Sequence, residues 1–179
     1  MKVASVKYKW LLKWTVFAIF LIAAVYYWNN RWAYIIIHHS AGSYGNIEFL
    51  QNVHDQRQSK EPIHAISYHY AIGNGNGMED GKIGSDLRLK YNLWGAHMSL
   101  KNFSKNIFGL GICIIGDLEN QNITQKQYAT LVTLTMQLMH KYNIKKENVL
   151  FHGKVAAEQT KCPGKNFPYQ KFMNQIEGD

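Results

Sequence analysis

The first thirty residues contain a long apolar run that is typical of a membrane-spanning helix. The stretch from Trp14 to Trp28 holds 15 residues without a charge, and it extends to 19 residues from Trp10 if Lys13 is included. At about 1.5 Å per residue such a helix spans roughly 28 Å, which is close to the hydrocarbon thickness of a bilayer. Aromatic residues stand at both ends of the run, as they do at membrane interfaces. We therefore predict a cytoplasmic stub and transmembrane anchor over residues 1–31.

Beyond residue 31 the pattern alternates between short apolar runs and amphipathic stretches. The short runs predict strands over 34–37, 66–72, 110–115 and 149–151. Apolar positions at three- and four-residue steps predict a helix from Asn46 to about Gln58, a second over 124–142 and a closing helix over 167–176. Residues 78–108 lack such periodicity and are predicted to be mostly irregular. Strands alternating with helices favour an α/β fold with a central sheet, in one domain over 32–179.

Composition and charge narrow the class of protein. The chain has 46% apolar and 18% charged residues, which is typical of a globular protein. Its formal net charge is +8, but residues 1–31 carry five basic residues and no acid, so the rest carries +3. No basic stripe remains in the body of the chain, which argues against nucleic acid as a partner.

The same charges orient the N-terminal helix. Basic residues precede or begin the run, so the N-terminus is expected inside and the domain outside the cytoplasmic membrane. A cleaved signal peptide is an alternative, but Ile22-Ala23-Ala24 is a poor cleavage site because isoleucine occupies the small-residue position. A buried core helix is a second alternative.

Three side chains of metal-ligating type lie after predicted strands or in a turn. His38 and His152 each follow a predicted strand, and Cys162 precedes a Pro-Gly pair. Taken singly, each histidine is more typical of a buried or edge histidine, and the cysteine of an ordinary turn thiol. Together they supply the three donors of a catalytic zinc, which keeps a fourth position for water. From spacing alone both interpretations stay open. Cys113 lies in an apolar strand and is expected to be a small buried hydrophobe, so no disulfide is predicted.

Five short blocks follow one another along the chain and carry a family resemblance. They are IIIHHSAG at 35–42, YHYAI at 68–72, GAH at 95–97 with Asn102, GICIIG at 111–116, and His152 with TKCPG at 160–164. In this order the blocks resemble the type 2 N-acetylmuramoyl-L-alanine amidases, whose superfamily includes peptidoglycan recognition proteins and phage lysozyme-like zinc amidases. Any one block is weak evidence for this family, but five blocks in the family's order are specific evidence. The similarity covers about residues 34–176.

The resemblance implies both a fold and an activity. The fold is a central mixed β-sheet flanked by helices. The activity is zinc-dependent hydrolysis of the amide bond between N-acetylmuramic acid and L-alanine of the peptidoglycan stem peptide. The implied Zn2+ ligands are His38, His152 and Cys162. The ten-residue separation of His152 and Cys162 is longer than in some members, which leaves the loop conformation open.

Five further residues match functional positions of the family. Tyr68 matches a tyrosine beside the metal and the substrate carbonyl, and Thr160 matches a position that holds Lys or Thr, so both are implied to be catalytic. His39, His97 and Asn102 are implied to bind substrate along the cleft. For the proton donor to the leaving amine, Tyr68 and His97 both stay candidates.

Other functions remain compatible with this sequence. One is a non-catalytic peptidoglycan-binding module, since some recognition proteins keep the groove without the metal. Another is a phage or prophage endolysin whose N-terminal helix is a signal-anchor. A closed structural zinc site is weaker, because the resemblance implies three ligands and no fourth Cys or His ligand. The expected partners are peptidoglycan and, through the helix, a membrane; the chain is expected to be a monomer.

Overall fold

The computed structural model describes residues 2–58 and 63–177, and the chain divides into two compact units, Met1–Arg31 and Trp32–Asp179. The first unit is helix α1, Lys2–Asn29. Its stretch Tyr8–Asn29 is long and apolar enough to cross a membrane. The side chains along that stretch are exposed, which does not fit a buried core helix.

The second unit is built on a mixed β-sheet. Its strands are β1 (Tyr34–His39), β2 (Tyr70–Ile72), β3 (Ile83–Gly84), β4 (Gly109–Ile114) and β5 (Val149–Phe151). Within the described residues the sheet has five strands in the order β3-β2-β4-β1-β5. All neighbours are parallel except β3, which runs antiparallel to β2. This confirms the predicted central mixed sheet.

Helices flank the sheet, and three of the five in the described part of this unit lie where the periodicity predicts them. They are α2 (Ile47–Arg57), α3 (Leu87–Lys90), α4 (Phe103–Phe108), α5 (Gln125–Tyr142) and α6 (Tyr169–Gln175). The Asn46 side chain accepts the Phe49 N–H and caps α2 as predicted. Thr124 and Gln127 form a reciprocal capping box at the start of α5. Local signals therefore determined where the two long helices of this domain begin.

The central strands separate the core into two faces. Ile35 and Ile37 of β1 pack in the larger apolar cluster with α5. Each buried isoleucine of this kind contributes about 1.5–3 kcal/mol of transfer free energy. Side chains alternate along a strand, so His38 faces the opposite side of the sheet. There it is level with Cys113 of β4. The alternation directs a polar residue of a buried strand away from the main core.

Two regions differ from their prediction. The strand predicted over 66–72 is regular only as β2, because the preceding residues leave the ladder: Ala96 donates its N–H to the Ser67 carbonyl. Residues 78–108 contain β3, α3 and α4 rather than mostly irregular chain. Elements of two to six residues are too short to show a period.

Candidate metal centre

Three predicted donors meet where two parallel strands end. Ile37 pairs with Phe151 in the β1–β5 register, so His38 and His152 follow at neighbouring strand ends. The loop after β5 returns Cys162 to the same point. The His38 Nδ1 atom lies 3.1 Å from His152 Nδ1 and 3.8 Å from Cys162 Sγ. All three donor atoms lie within 4.8 Å of one another.

The separations of 3.1 Å and 3.8 Å from His38 Nδ1 lie on either side of those expected around one tetrahedral ion. With Zn–N bonds of about 2.0–2.1 Å and a Zn–S bond of about 2.3 Å, ligand atoms stand roughly 3.3–3.7 Å apart. Two imidazole nitrogens and one thiol sulfur are a donor set that zinc prefers. Among the residues that the structure describes, the cluster holds these three donors alone. A fourth position would thus remain for water or substrate.

Both histidines turn Nδ1 toward the cluster and Nε2 toward a polar partner. His38 Nε2 lies 3.1 Å from His97 Nδ1. His152 Nε2 lies 3.1 Å from Glu158 Oε2. When each Nε2–H donates outward, the Nδ1 lone pairs face the centre. Outer partners of this kind commonly orient the histidine ligands of a metal.

Burial determines the charge of the three donors. Burial, helped by the neighbouring histidines, holds the pKa of His38 well below its usual range. Burial also lowers the pKa of His152, although the hydrogen bond and charge of Glu158 oppose that shift. The imidazoles are therefore neutral at pH 7 and can offer a lone pair. Burial raises the pKa of the Cys162 thiol to about 12, against the opposing His39 N–H. A cation is what converts such a thiol to a thiolate.

Glu158 is a site residue that the sequence analysis missed. Its side chain is 5% exposed. Ser99 donates to Oε1 from its backbone N–H (3.1 Å) and its hydroxyl (2.7 Å), and Asn102 Nδ2 donates at 2.8 Å. Burial alone would raise the pKa of Glu158, but the hydrogen bonds from Ser99, Asn102 and His152 outweigh it and lower the pKa. An acid between the second histidine and the cysteine was the available sequence signal.

The His97 imidazole contacts His38 Nε2 and packs against the backbone of two glycines, Gly95 and Gly111. A Cβ at Gly95 would come within 2.3 Å of the His97 ring, and one at Gly111 within 2.7 Å. The two glycines therefore make room for the imidazole. Asn106 Oδ1 accepts the His97 N–H at 3.0 Å and holds the loop.

The profile of one known family matches most of this chain. The family is described as N-acetylmuramoyl-L-alanine amidase, and the match covers residues 28–165, including all three donors. The chain belongs to this amidase family. The resemblance carried by the five sequence blocks is thereby confirmed.

Individual relatives include amidases and a recognition protein. N-acetylmuramoyl-L-alanine amidase LysC from Clostridium intestinale is 27% identical, has a TM-score of 0.69, and the match covers 85% of this chain and 89% of that one. Peptidoglycan-recognition protein SC2 of Drosophila melanogaster is 28% identical over 143 residues, which are 76% of this chain and 71% of SC2. The endolysin of Thermus scotoductus bacteriophage Ph2119 is 21% identical with a TM-score of 0.62, over 81% and 84% of the two chains, and supports the fold alone.

In this family member, Tyr68 and His54 form one wall beside the donors. The Tyr68 ring centroid lies 5.0 Å from that of His38 and 5.2 Å from that of His54. Burial raises the pKa of Tyr68 well above its usual range, and the sulfurs of Cys113 and Cys162 add to this. Burial lowers the pKa of His54 to about 4. His54, which the sequence analysis did not select, accepts the Ser67 N–H on Nδ1 at 2.8 Å.

The remaining predicted residues support the cysteine loop or lie inside the fold. The His39 N–H donates to Cys162 Sγ at 3.2 Å, and Thr160 Oγ1 accepts the Cys162 N–H at 3.2 Å. Asn102 is 8% exposed, and its amide also donates to the Ala156 carbonyl. His97 Nδ1 contacts His38 Nε2, and the Asn102 amide donates within the protein. The contact of His39, His97 and Asn102 with substrate stays a prediction.

A basic cavity opens beside the cysteine loop. It has a volume of about 390 Å³ and is lined by Thr160 and Cys162. Its charged lining consists of three lysines and one acid, Lys154, Lys161, Lys165 and Glu119. The Glu119 Oε1 atom lies 3.8 Å from Lys161 Nζ and 3.9 Å from Lys165 Nζ. Because one carboxylate faces three ammonium groups, the cavity lining keeps a net positive charge.

Proposed function

We propose that this chain is a zinc-dependent peptidoglycan hydrolase that cleaves the amide bond between N-acetylmuramic acid and L-alanine of the stem peptide. The observation that carries the proposal is that the donor atoms of His38, His152 and Cys162 lie within 4.8 Å of one another. In addition, the Nε2 atom of each imidazole contacts a polar partner on the side away from the cluster. Membership of the amidase family and similarity to LysC support the reaction. A module that only binds peptidoglycan needs no such donor set.

The two histidines and the cysteine would hold the ion. Zinc bound there would polarise the amide carbonyl and lower the pKa of water toward neutrality. The thiolate of Cys162 would leave the site with a charge of about +1. The backbone N–H of His39, which already donates to this sulfur, would stabilise the thiolate.

Two hydroxyl groups lie beside the donors, that of Thr160 and that of Tyr68, which also interacts with the Cys113 thiol. The raised pKa of Tyr68 keeps its phenol protonated, so it can donate a hydrogen bond to the carbonyl oxygen as negative charge develops there. Thr160 is exposed, and its oxygen accepts the Cys162 N–H, so its O–H can rotate toward a substrate. The basic cavity next to Thr160 complements the carboxylates of a stem peptide.

The proposed reaction can be tested by its product. Incubating the protein with purified peptidoglycan should release peptides with a new N-terminal alanine, detected by amine labelling and mass spectrometry. A zinc chelator should remove this release, and added zinc should restore it. Binding to peptidoglycan without alanine release would support the recognition-module alternative. Release that persists after complete metal removal would rule out zinc dependence.

We also propose that helix α1 anchors the protein in the membrane, with the N-terminus inside and the domain in the extracytoplasmic space. The helix exposes an apolar surface along Tyr8–Asn29, which a bilayer would cover. The full chain should remain in the membrane pellet after a high-salt and carbonate wash. A variant starting at Trp32 should be soluble and bind the same amount of zinc.

Intact N-terminal mass would separate an anchor from a cleaved signal peptide. An anchored chain should retain residues 1–31 in the membrane fraction. Loss of that segment from the mature protein would contradict the anchor. Release of the whole chain on depolarisation would instead support the signal-anchor endolysin alternative.

A further inference from the structure

The loop between His152 and Cys162 carries a carboxylate that returns to the first of these residues. Glu158 Oε2 lies 3.1 Å from His152 Nε2. This is the nitrogen on the far side of the ring from the donor cluster. The contact therefore acts on the ligand atom through the imidazole and touches neither substrate nor ion.

The carboxylate is itself fixed from the opposite side. Its second oxygen accepts three hydrogen bonds, two from Ser99 at 3.1 Å and 2.7 Å and one from Asn102 at 2.8 Å. Asn102 also donates to the Ala156 carbonyl at 2.9 Å, which ties the loop backbone to the same segment. The Glu158 side chain is only 5% exposed, so its contact with His152 is a buried interaction and not a surface ion pair. A buried carboxylate is tolerated only where its lone pairs are used in this way.

One short segment thereby supports both histidine donors. His97 contacts His38 directly at 3.1 Å. Ser99 and Asn102, two and five residues after His97, donate hydrogen bonds to Glu158, which in turn contacts His152. The two imidazoles thus receive their orientation from residues 97–102, although the donors themselves lie on β1 and after β5.

We propose that Glu158 is a positioning residue of the metal centre: it accepts the Nε2–H of His152 and so holds the Nδ1 lone pair toward His38 and Cys162. This inference rests on the proposed zinc site and adds to it the group that presets one ligand. An imidazole held in the wrong tautomer would present an N–H to the ion. Loss of such outer partners typically costs about 10- to 100-fold in metal affinity.

The test measures zinc affinity of the full chain by competition with a chelating dye. Glu158→Ala should weaken zinc binding by about 10- to 100-fold, and Glu158→Gln, which keeps an oxygen acceptor but no charge, should weaken it less. Glu119→Gln is the matched control, because Glu119 is another loop carboxylate that contacts Lys161 and Lys165 and is not a partner of His152. Its zinc affinity should equal that of the wild type.

A second measurement keeps the inference separate from folding and from the proposed function. In NMR spectra of ring-¹⁵N histidine, His152 should be the Nε2–H tautomer in the wild type and a mixture in Glu158→Gln. Wild-type affinity and an unchanged tautomer in that variant would overturn the inference while leaving the zinc site in place. Should Glu158→Ala not fold, Glu158→Gln and Ser99→Ala carry the test. If the wild type itself binds no zinc, the proposed zinc-dependent function is wrong, and the role of Glu158 as a positioning residue is wrong with it.

Discussion

Replacing Cys162 by serine should remove most of the bound zinc and abolish hydrolysis while the domain stays folded. The serine hydroxyl occupies nearly the same volume in a site that is 6% exposed, and it can still accept the His39 N–H. It does not ionise near pH 7 as a metal-bound thiol does, so it is a poor third donor. His152→Ala should have the same effect by removing a nitrogen donor. The loss of activity should exceed the roughly 10- to 100-fold cost of losing an outer partner.

Zinc per protein, measured by plasma emission spectrometry, is the decisive quantity. The matched control is Cys113→Ser, because this second buried thiol faces the same side of the sheet but is not among the clustered donors. That variant should keep its zinc, with some loss of thermal stability from a buried hydroxyl. Full zinc retention in Cys162→Ser or His152→Ala would show that the ligand assignment is wrong.

Replacing Tyr68 by phenylalanine should leave the metal bound and slow turnover by about 100- to 1,000-fold, the usual cost of removing one donor to a developing oxyanion. The ring keeps its contacts with His38 and His54, so the walls of the site should not move. The expected change is in kcat, because the hydrogen bond strengthens as charge appears on the carbonyl oxygen.

Two controls separate this role from a structural one. Tyr70→Phe removes a phenol two residues away, where Tyr70 packs against the main core, and should leave turnover unchanged. Cys113→Ala removes the thiol that interacts with the Tyr68 hydroxyl. If Cys113→Ala slows the reaction as much as Tyr68→Phe does, the hydroxyl serves packing and not catalysis. An unchanged rate in Tyr68→Phe would remove it from the mechanism altogether.

The long elements could be predicted because their signals are local. The caps at Asn46 and Thr124 act within three residues, and the β-branched run of β1 favours a strand wherever it stands. The elements between 78 and 108 have no such signal, since α3 has four residues and β3 two. Tertiary contacts determine their conformation.

The support of the site could not be predicted for the same reason. Glu158 and Ser99 are 59 residues apart in the chain, and their hydrogen bond exists only because the 97–102 segment packs beside the cysteine loop. Asn106 was overlooked in favour of Asn102, although Asn106 is the residue that holds the His97 loop. From the sequence, His54 is only one residue of the predicted helix that begins at Asn46. Its contact with Tyr68 depends on how α2 packs in the fold.

By itself, the order of residues indicated β1, β4, β5 and part of β2, the two long helices of the domain, the apolar N-terminal helix and three side chains of metal-ligating type. These follow from side-chain chemistry and short-range periodicity, which act within a few residues. The tertiary structure alone decided that His38 and His152 stand side by side, because the parallel register of β1 and β5 brings together residues 114 positions apart. It also decided which ring nitrogen faces the centre, because buried polar partners behind each imidazole leave one favourable orientation.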